Sequence, residues 1–136
     1  FPLKNQYPSF TEFSIINPVI ISEVLKKFIK KKQNVSIKFP NDLFLNGKKI
    51  SGILQEVITS KSKKYLIIGV GLNIEANPKK ITRYEATNIF LETNKKPKIA
   101  EILNSIIFSY ESFFNNLNSY NYLYFKKKAD LMALDK

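Results

Sequence analysis

The chain has 136 residues, one domain's worth at roughly 150 residues per domain. Its 44% hydrophobic content suffices for a core, and only 4 Gly and 6 Pro exclude a low-complexity or collagen-like chain. With no Cys and no His, thiol nucleophiles, His general bases, Cys/His zinc sites and disulfides are excluded; Lys, Asp, Glu, Asn, Ser and backbone amides remain for chemistry.

The net charge is +11, from 22 basic and 11 acidic residues, and Arg83 is the single arginine. Such a balance suits an anionic partner, but lysine excess without arginine reads more simply as a solvated surface. No run of about 18 apolar residues predicts a transmembrane helix, and no signal peptide is recognisable. A cytoplasmic setting is expected. The chain opens on Phe1 rather than Met and reads as the middle of a protein.

Residues 1–12 read as irregular or as a strand end. Apolar positions spaced by three and four, from Ile15 and Ile16 to Phe28 and Ile29, predict a helix over 14–32. Pro18 near its start suggests Asn17 as the cap, and Lys30 to Lys32 suit its negative end. A strand is expected over 35–39, stopped by Pro40. Leu43 to Leu45, Asn46-Gly47 and a second arm to about residue 59 predict a β-hairpin on a type I′ turn. A polar turn over 60–64 leads to a strand over 65–74, and 75–83 reads as a loop. Short and long helices are expected over 85–91 and 99–117, and a last one over 119–134. Hairpin-paired strands with segregated helices predict an α+β fold: a mixed, mostly antiparallel sheet with helices packed on one side.

The strand over 65–74 is the informative one. Side chains alternate between faces, so Leu66, Ile68, Val70 and Leu72 form a core face and Ile67, Gly69, Gly71 and Asn73 the other. Two glycines bare the backbone of that second face, as a flat ligand lying close would require, or as a bulge or tight helix contact would. Asn73 could then donate to and accept from a base such as adenine. The Gly-x-Gly is not a dinucleotide fingerprint, because Ile74 occupies the third position and no helix follows at once. Asn46-Gly47-Lys48-Lys49 is not a P-loop. In the hairpin, Asn41 and Asp42 follow Pro40, and strict alternation places Lys49 with Ser51 and Ile53. An ammonium beside a carboxylate can neutralise an anion, and the carboxylate can help hold Mg²⁺; each residue alone is also ordinary turn chemistry or a solvated lysine.

Taken together, Lys38-Phe39-Pro40-Asn41-Asp42-Leu43, then Asn46 to Glu56 with Lys49-Ile50-Ser51-Gly52-Ile53-Leu54, then Ile68-Gly69-Val70-Gly71-Leu72-Asn73 closely resemble biotin–protein ligases in order and spacing. Ala86-Thr87-Asn88 resembles a later Ala-Thr-Ser of that family, and Phe39 stands where its usual Trp does. The resemblance implies a biotin/lipoate-ligase-like catalytic domain, of which residues 1–136 are a single partial domain. The family's Gly-Arg-rich loop, which closes over biotin and the adenylate, is not in these residues. The resemblance further implies ATP-dependent biotinylation of a lysine in the biotin carboxyl carrier domain of a carboxylase, through biotinyl-AMP. It implies ATP, biotin and Mg²⁺ as ligands, with Lys49 and Asp42 catalytic and Asp42 near the metal-bearing phosphates. Asn41, Ser51, Gly52, Ile53, Gly69, Gly71 and Asn73 are the implied ligand-binding set. Lipoate ligases share the fold, but the Pro-Asn-Asp hairpin pattern favours biotin. The acceptor role is set aside, because Met132 is the only Met and has no Lys beside it. The alternatives are a catalytically incomplete chain, one half of a split ligase needing a separate N-terminal half, or a basic nucleic-acid-binding module, for which no Arg cluster or aromatic platform is visible.

Overall fold

The computed structural model describes residues 2, 7–76 and 84–134. Helix α1 spans Phe10–Lys26 and is followed by the strands β1 (Val35–Lys38), β2 (Asp42–Leu45), β3 (Lys48–Ser60) and β4 (Lys63–Leu72). The short α2 (Ile89–Thr93), α3 (Ile99–Asn115) and α4 (Tyr122–Met132) complete the chain.

Helix α1 begins four residues earlier than its apolar period suggests. Ser9 caps it: Ser9 Oγ accepts from the Glu12 amide at 3.2 Å, and the Ser9 amide donates to Glu12 Oε2 at 2.7 Å. Asn17 is therefore no cap, and Pro18 lies inside the helix. Lacking an N–H, Pro18 leaves the carbonyl of Ser14 without its helical donor. The buried Asn17 instead accepts from Tyr110 Oη at 2.8 Å and donates to Gln55 Oε1 at 2.7 Å, locking α1 to α3 and β3. The helix ends at Lys26, so Lys30 to Lys32 lie beyond it in turns.

The four strands form an antiparallel meander in the order β1-β2-β3-β4. Both turn residues of the β2–β3 hairpin are left-handed, Asn46 at φ 51° and Gly47 at φ 80°, as a type I′ turn requires. Parallel pairing is confined, among the described residues, to two isolated bridges, Ile37 with Ala133 and Lys49 with Ala86. The first brings the end of α4 back to β1, where the Leu134 amide donates to the Ile37 carbonyl at 2.9 Å. The expected loop over 75–83 lies largely outside the described residues. The expected short helix starts later, at Ile89, and the last helix is preceded by a 3-10 turn over Leu117–Ser119.

The core sits between one sheet face and the helices. Phe13, Ile16 and Val19 of α1 join Ile37, Leu43, Leu45, Ile53 and Leu66 of the sheet, with Ile102 and Tyr110 of α3 and Ala129 of α4. Each Val, Leu, Ile or Phe side chain among them contributes roughly 1.5–3 kcal/mol of burial. The other face carries exposed Leu54, Ile67, Gly69 and Gly71 and no described helix. No described helix is long and apolar enough to cross a membrane.

Candidate active site

The site is built by the phase of β3. Register pairs Phe44 with Lys49 but Leu43 with Ser51, so Ile50 is an extra residue on β3. Residues opposite each other across antiparallel strands share a face. Below the bulge, Ser51 and Ile53 stand with Leu43 on the core side, 3% and 5% exposed. Lys49 stands with Phe44 and Asp42 on the open side. This corrects strict alternation, which grouped Lys49 with Ser51 and Ile53. A bulge is what lets both Ile50 and Ile53 be buried although three positions apart.

On the open face Asp42 pairs with Gly52, and Gly52 with Gly71. Asp42, Gly52 and Gly71 thus form one row across three strands. A Cβ on Gly52 would lie 3.7 Å from Asp42 Oδ1, and one on Gly71 3.8 Å from the Gly52 carbonyl oxygen. Neither glycine is demanded by packing, and the backbone of this row stays bare. Above this row lies an open groove of about 480 Å³, lined among others by Asn41, Asp42, Lys49, Gly52, Gly69 and Gly71. Ile53 borders it too, although its side chain belongs to the core.

Lys49 Nζ lies 3.2 Å from Asp42 Oδ1, both side chains being about three-quarters buried. Lys38 pairs with Asp42 across β1–β2 and so shares its face; its Nζ stands 4.8 Å from the Tyr84 ring centre. Lys38 thus puts a second cationic side chain on the Asp42 face of the sheet. Tyr84 also packs edge-on against Phe44, closing that end of the face. Lys38 and Tyr84 were not among the expected site residues. The register of Lys38 opposite Asp42 was the available signal.

The remaining expected residues are placed differently. Ser51 Oγ is turned inward and donates to the Gly71 carbonyl at 2.6 Å, bracing β3 against β4. Asn73 follows β4 outside the groove lining, and its Nδ2 donates to the Thr87 carbonyl at 3.0 Å. Asn41 joins through its backbone, its carbonyl accepting from the Ile53 amide at 2.8 Å. The segment after Tyr84 ties the pieces together. The Lys49 amide donates to the Glu85 carbonyl at 2.8 Å, and the Thr87 amide donates to the Lys49 carbonyl at 2.9 Å.

Among the described residues no three acidic side chains gather as a metal cage. With one oxygen of Asp42 already on Lys49, its carboxylate could give a Mg²⁺ one further oxygen, so such an ion would need its other oxygens from a bound ligand or water.

The sequence model of the "Biotin/lipoate A/B protein ligase family" matches residues 4–73. Biotin–protein ligase 2 of Arabidopsis thaliana is 35% identical over 100 residues, covering 70% of this chain and 30% of the relative. The bifunctional ligase/repressor BirA of Escherichia coli is 38% identical over 63 residues, covering 45% of this chain and 19% of that protein. The solved biotin protein ligase of Aquifex aeolicus in complex with biotin and ATP superposes with a TM-score of 0.77 at 26% identity, over 98% of this chain and 56% of that one. The chain therefore spans less than a third of these curated relatives and just over half of the solved ligase. The match over residues 4–73 takes in all four strands and the Asp42, Lys49 and Gly71 positions of the groove: the chain belongs to the biotin/lipoate A/B protein ligase family.

Proposed function

We propose that the groove binds the acyl-adenylate of a biotin–protein ligase, and that the chain is the part of the catalytic domain holding its carboxyl–phosphate junction. The observation that carries this reading is the Asp42–Gly52–Gly71 row with Lys49 beside it, on the face the described helices leave bare. The solved relative with biotin and ATP supports the ligand class.

In the first step an oxygen of the biotin carboxylate attacks the α-phosphorus of ATP. Pyrophosphate leaves and biotinyl-AMP forms. In the second, the amine of a carrier-domain lysine attacks the acyl carbon, AMP leaves, and an amide forms. Neither step needs an enzyme nucleophile, in keeping with a chain that has no Cys or His. Lys49 donates hydrogen bonds to the oxygens where negative charge grows in the first step. Such a preplaced donor contributes on the order of 10²–10³ in rate. Asp42 holds the Lys49 ammonium in place and, as an anion near the acyl carbon, attracts the incoming lysine. Mg²⁺, when bound, neutralises phosphate charge, with Asp42 as the protein oxygen available to it. Gly52, Gly69 and Gly71 let the ligand lie on the backbone. Asn73 reads the adenine edge. Ser51 and Ile53 act from beneath, by fixing the β3–β4 pair.

Biotin closure in this reading falls to the Gly-Arg-rich segment of the family, which residues 1–136 do not contain. The test is biotin-dependent exchange of pyrophosphate into ATP, and biotin transfer to a carrier domain. Both are assayed for the chain alone and mixed with a separately produced N-terminal half. Activity on mixing that is lost in Lys49→Ala supports the reading. A mixture with both halves folded and no adenylate contradicts it.

A further inference from the structure

We propose that Thr87 is a positioning residue that sets the base selectivity of the site, by fixing which way round the Asn73 carboxamide stands; this rests on the adenylate reading above. A carboxamide is nearly symmetrical in shape, and its two ends exchange donor for acceptor when it turns over. At Asn73 one end is already committed, Nδ2 donating to the Thr87 carbonyl at 3.0 Å. Turned over, Oδ1 would face that carbonyl, oxygen against oxygen.

The carbonyl that imposes this is itself immobilised. Thr87 is fully buried, and its amide donates to the Lys49 carbonyl at 2.9 Å. Its Oγ1 donates to Glu92 Oε1 at 2.7 Å, and the Glu92 carbonyl accepts from Gln33 Nε2 at 2.8 Å. The Asn73 backbone is held as firmly: its amide donates to the Ile50 carbonyl at 3.0 Å, and its carbonyl accepts from the Ile89 amide at 3.1 Å. What Asn73 has left is Oδ1 and one N–H hydrogen, an acceptor beside a donor. Adenine offers the complement, an exocyclic amine beside a ring acceptor. Guanine offers two acceptors, O6 and N7, so O6 meets Oδ1. One correct bidentate pair discriminates between bases by about 5- to 150-fold. The same Thr87 that orients Asn73 also holds Lys49, so base reading and charge stabilisation share one anchor.

The test compares ATP with GTP as substrates for the first step by the ligase at its natural length, read as pyrophosphate release with formation of biotinyl-AMP or biotinyl-GMP. Thr87→Val is nearly isosteric and removes the hydroxyl anchor. It is expected to raise the KM for ATP about tenfold and shrink the ATP preference, leaving the KM for biotin unchanged. Thr87→Ser is expected to restore both. Glu92→Ala, at a half-buried position, is expected to act in the same direction and serves if Thr87→Val does not fold. In whichever variant folds, the Asn73 side-chain NH₂ protons should exchange with solvent faster than in the wild type, where one of them is held by the Thr87 carbonyl. An unchanged ATP preference in these variants, with Asn73→Ala abolishing it, overturns the positioning role alone. A preference that survives even Asn73→Ala overturns the adenine reading beneath it.

Discussion

Lys49 and Asp42 meet at 3.2 Å because the hairpin sets Lys49 opposite Phe44, on the same face of β2 as Asp42, and the extra residue Ile50 then brings Gly52 rather than Ser51 opposite Asp42, so the ammonium stands beside the glycine row. Lys49→Ala removes the ammonium without opening the core. We expect biotinyl-AMP formation to fall by about 10²–10³ or more while thermal stability changes by under roughly 1 kcal/mol. Quenched-flow assay of the adenylate beside a melting curve reads both.

Gly71→Val tests whether the bare backbone is for a ligand. An added Cβ would stand 3.8 Å from the Gly52 carbonyl, an ordinary contact, and valine favours strands. Stability is expected to hold or rise slightly, while nucleotide and biotin binding both fall at least tenfold. A marked loss of stability would mean that the glycine serves the fold.

Asn73→Ala removes the amide held by Thr87. The KM for ATP should rise far more than the KM for biotin. Equal losses in steady-state titrations of the two substrates would count against adenine readout.

Glu23 bridges helices α1 and α4, 3.4 Å from Lys26 and 3.0 Å from Lys128. Burial pushes its carboxyl up, but the Lys128 hydrogen bond and the two positive charges outweigh this and hold it below the ordinary carboxylate value. A lowered carboxylate contributes stability that is present above its unfolded value and lost as pH falls through the lowered one. Chemical denaturation from pH 6 down to pH 2 should show that loss, and Glu23→Gln should flatten it. The side chain is 41% exposed, so the difference should stay under about 1 kcal/mol.

Much of the fold was legible because local chemistry agreed with it. Asn46-Gly47 marks a turn that needs two left-handed residues, and the 3.6-residue period of α3 is unbroken from Ile99. Ser9 and Glu12 also spelled a capping box, but Pro18 inside the helix looked more like a start. Of the site, the glycines and their face followed from period two. The phase slip at Ile50 did not, although two isoleucines three apart in a strand were its trace. The clamp from Glu85 to Thr87 left no local signal, since it consists of backbone bonds between segments some 36 residues apart, as in Lys49 with Glu85.

The most direct measurement is a crystal structure of the natural-length ligase with biotinyl-AMP. The account predicts the carboxyl–phosphate junction within hydrogen-bond reach of Lys49 Nζ and the ligand lying against the backbone of Gly69 and Gly71. A ligand bound elsewhere, or over those glycines with Lys49 turned out of reach, would contradict it.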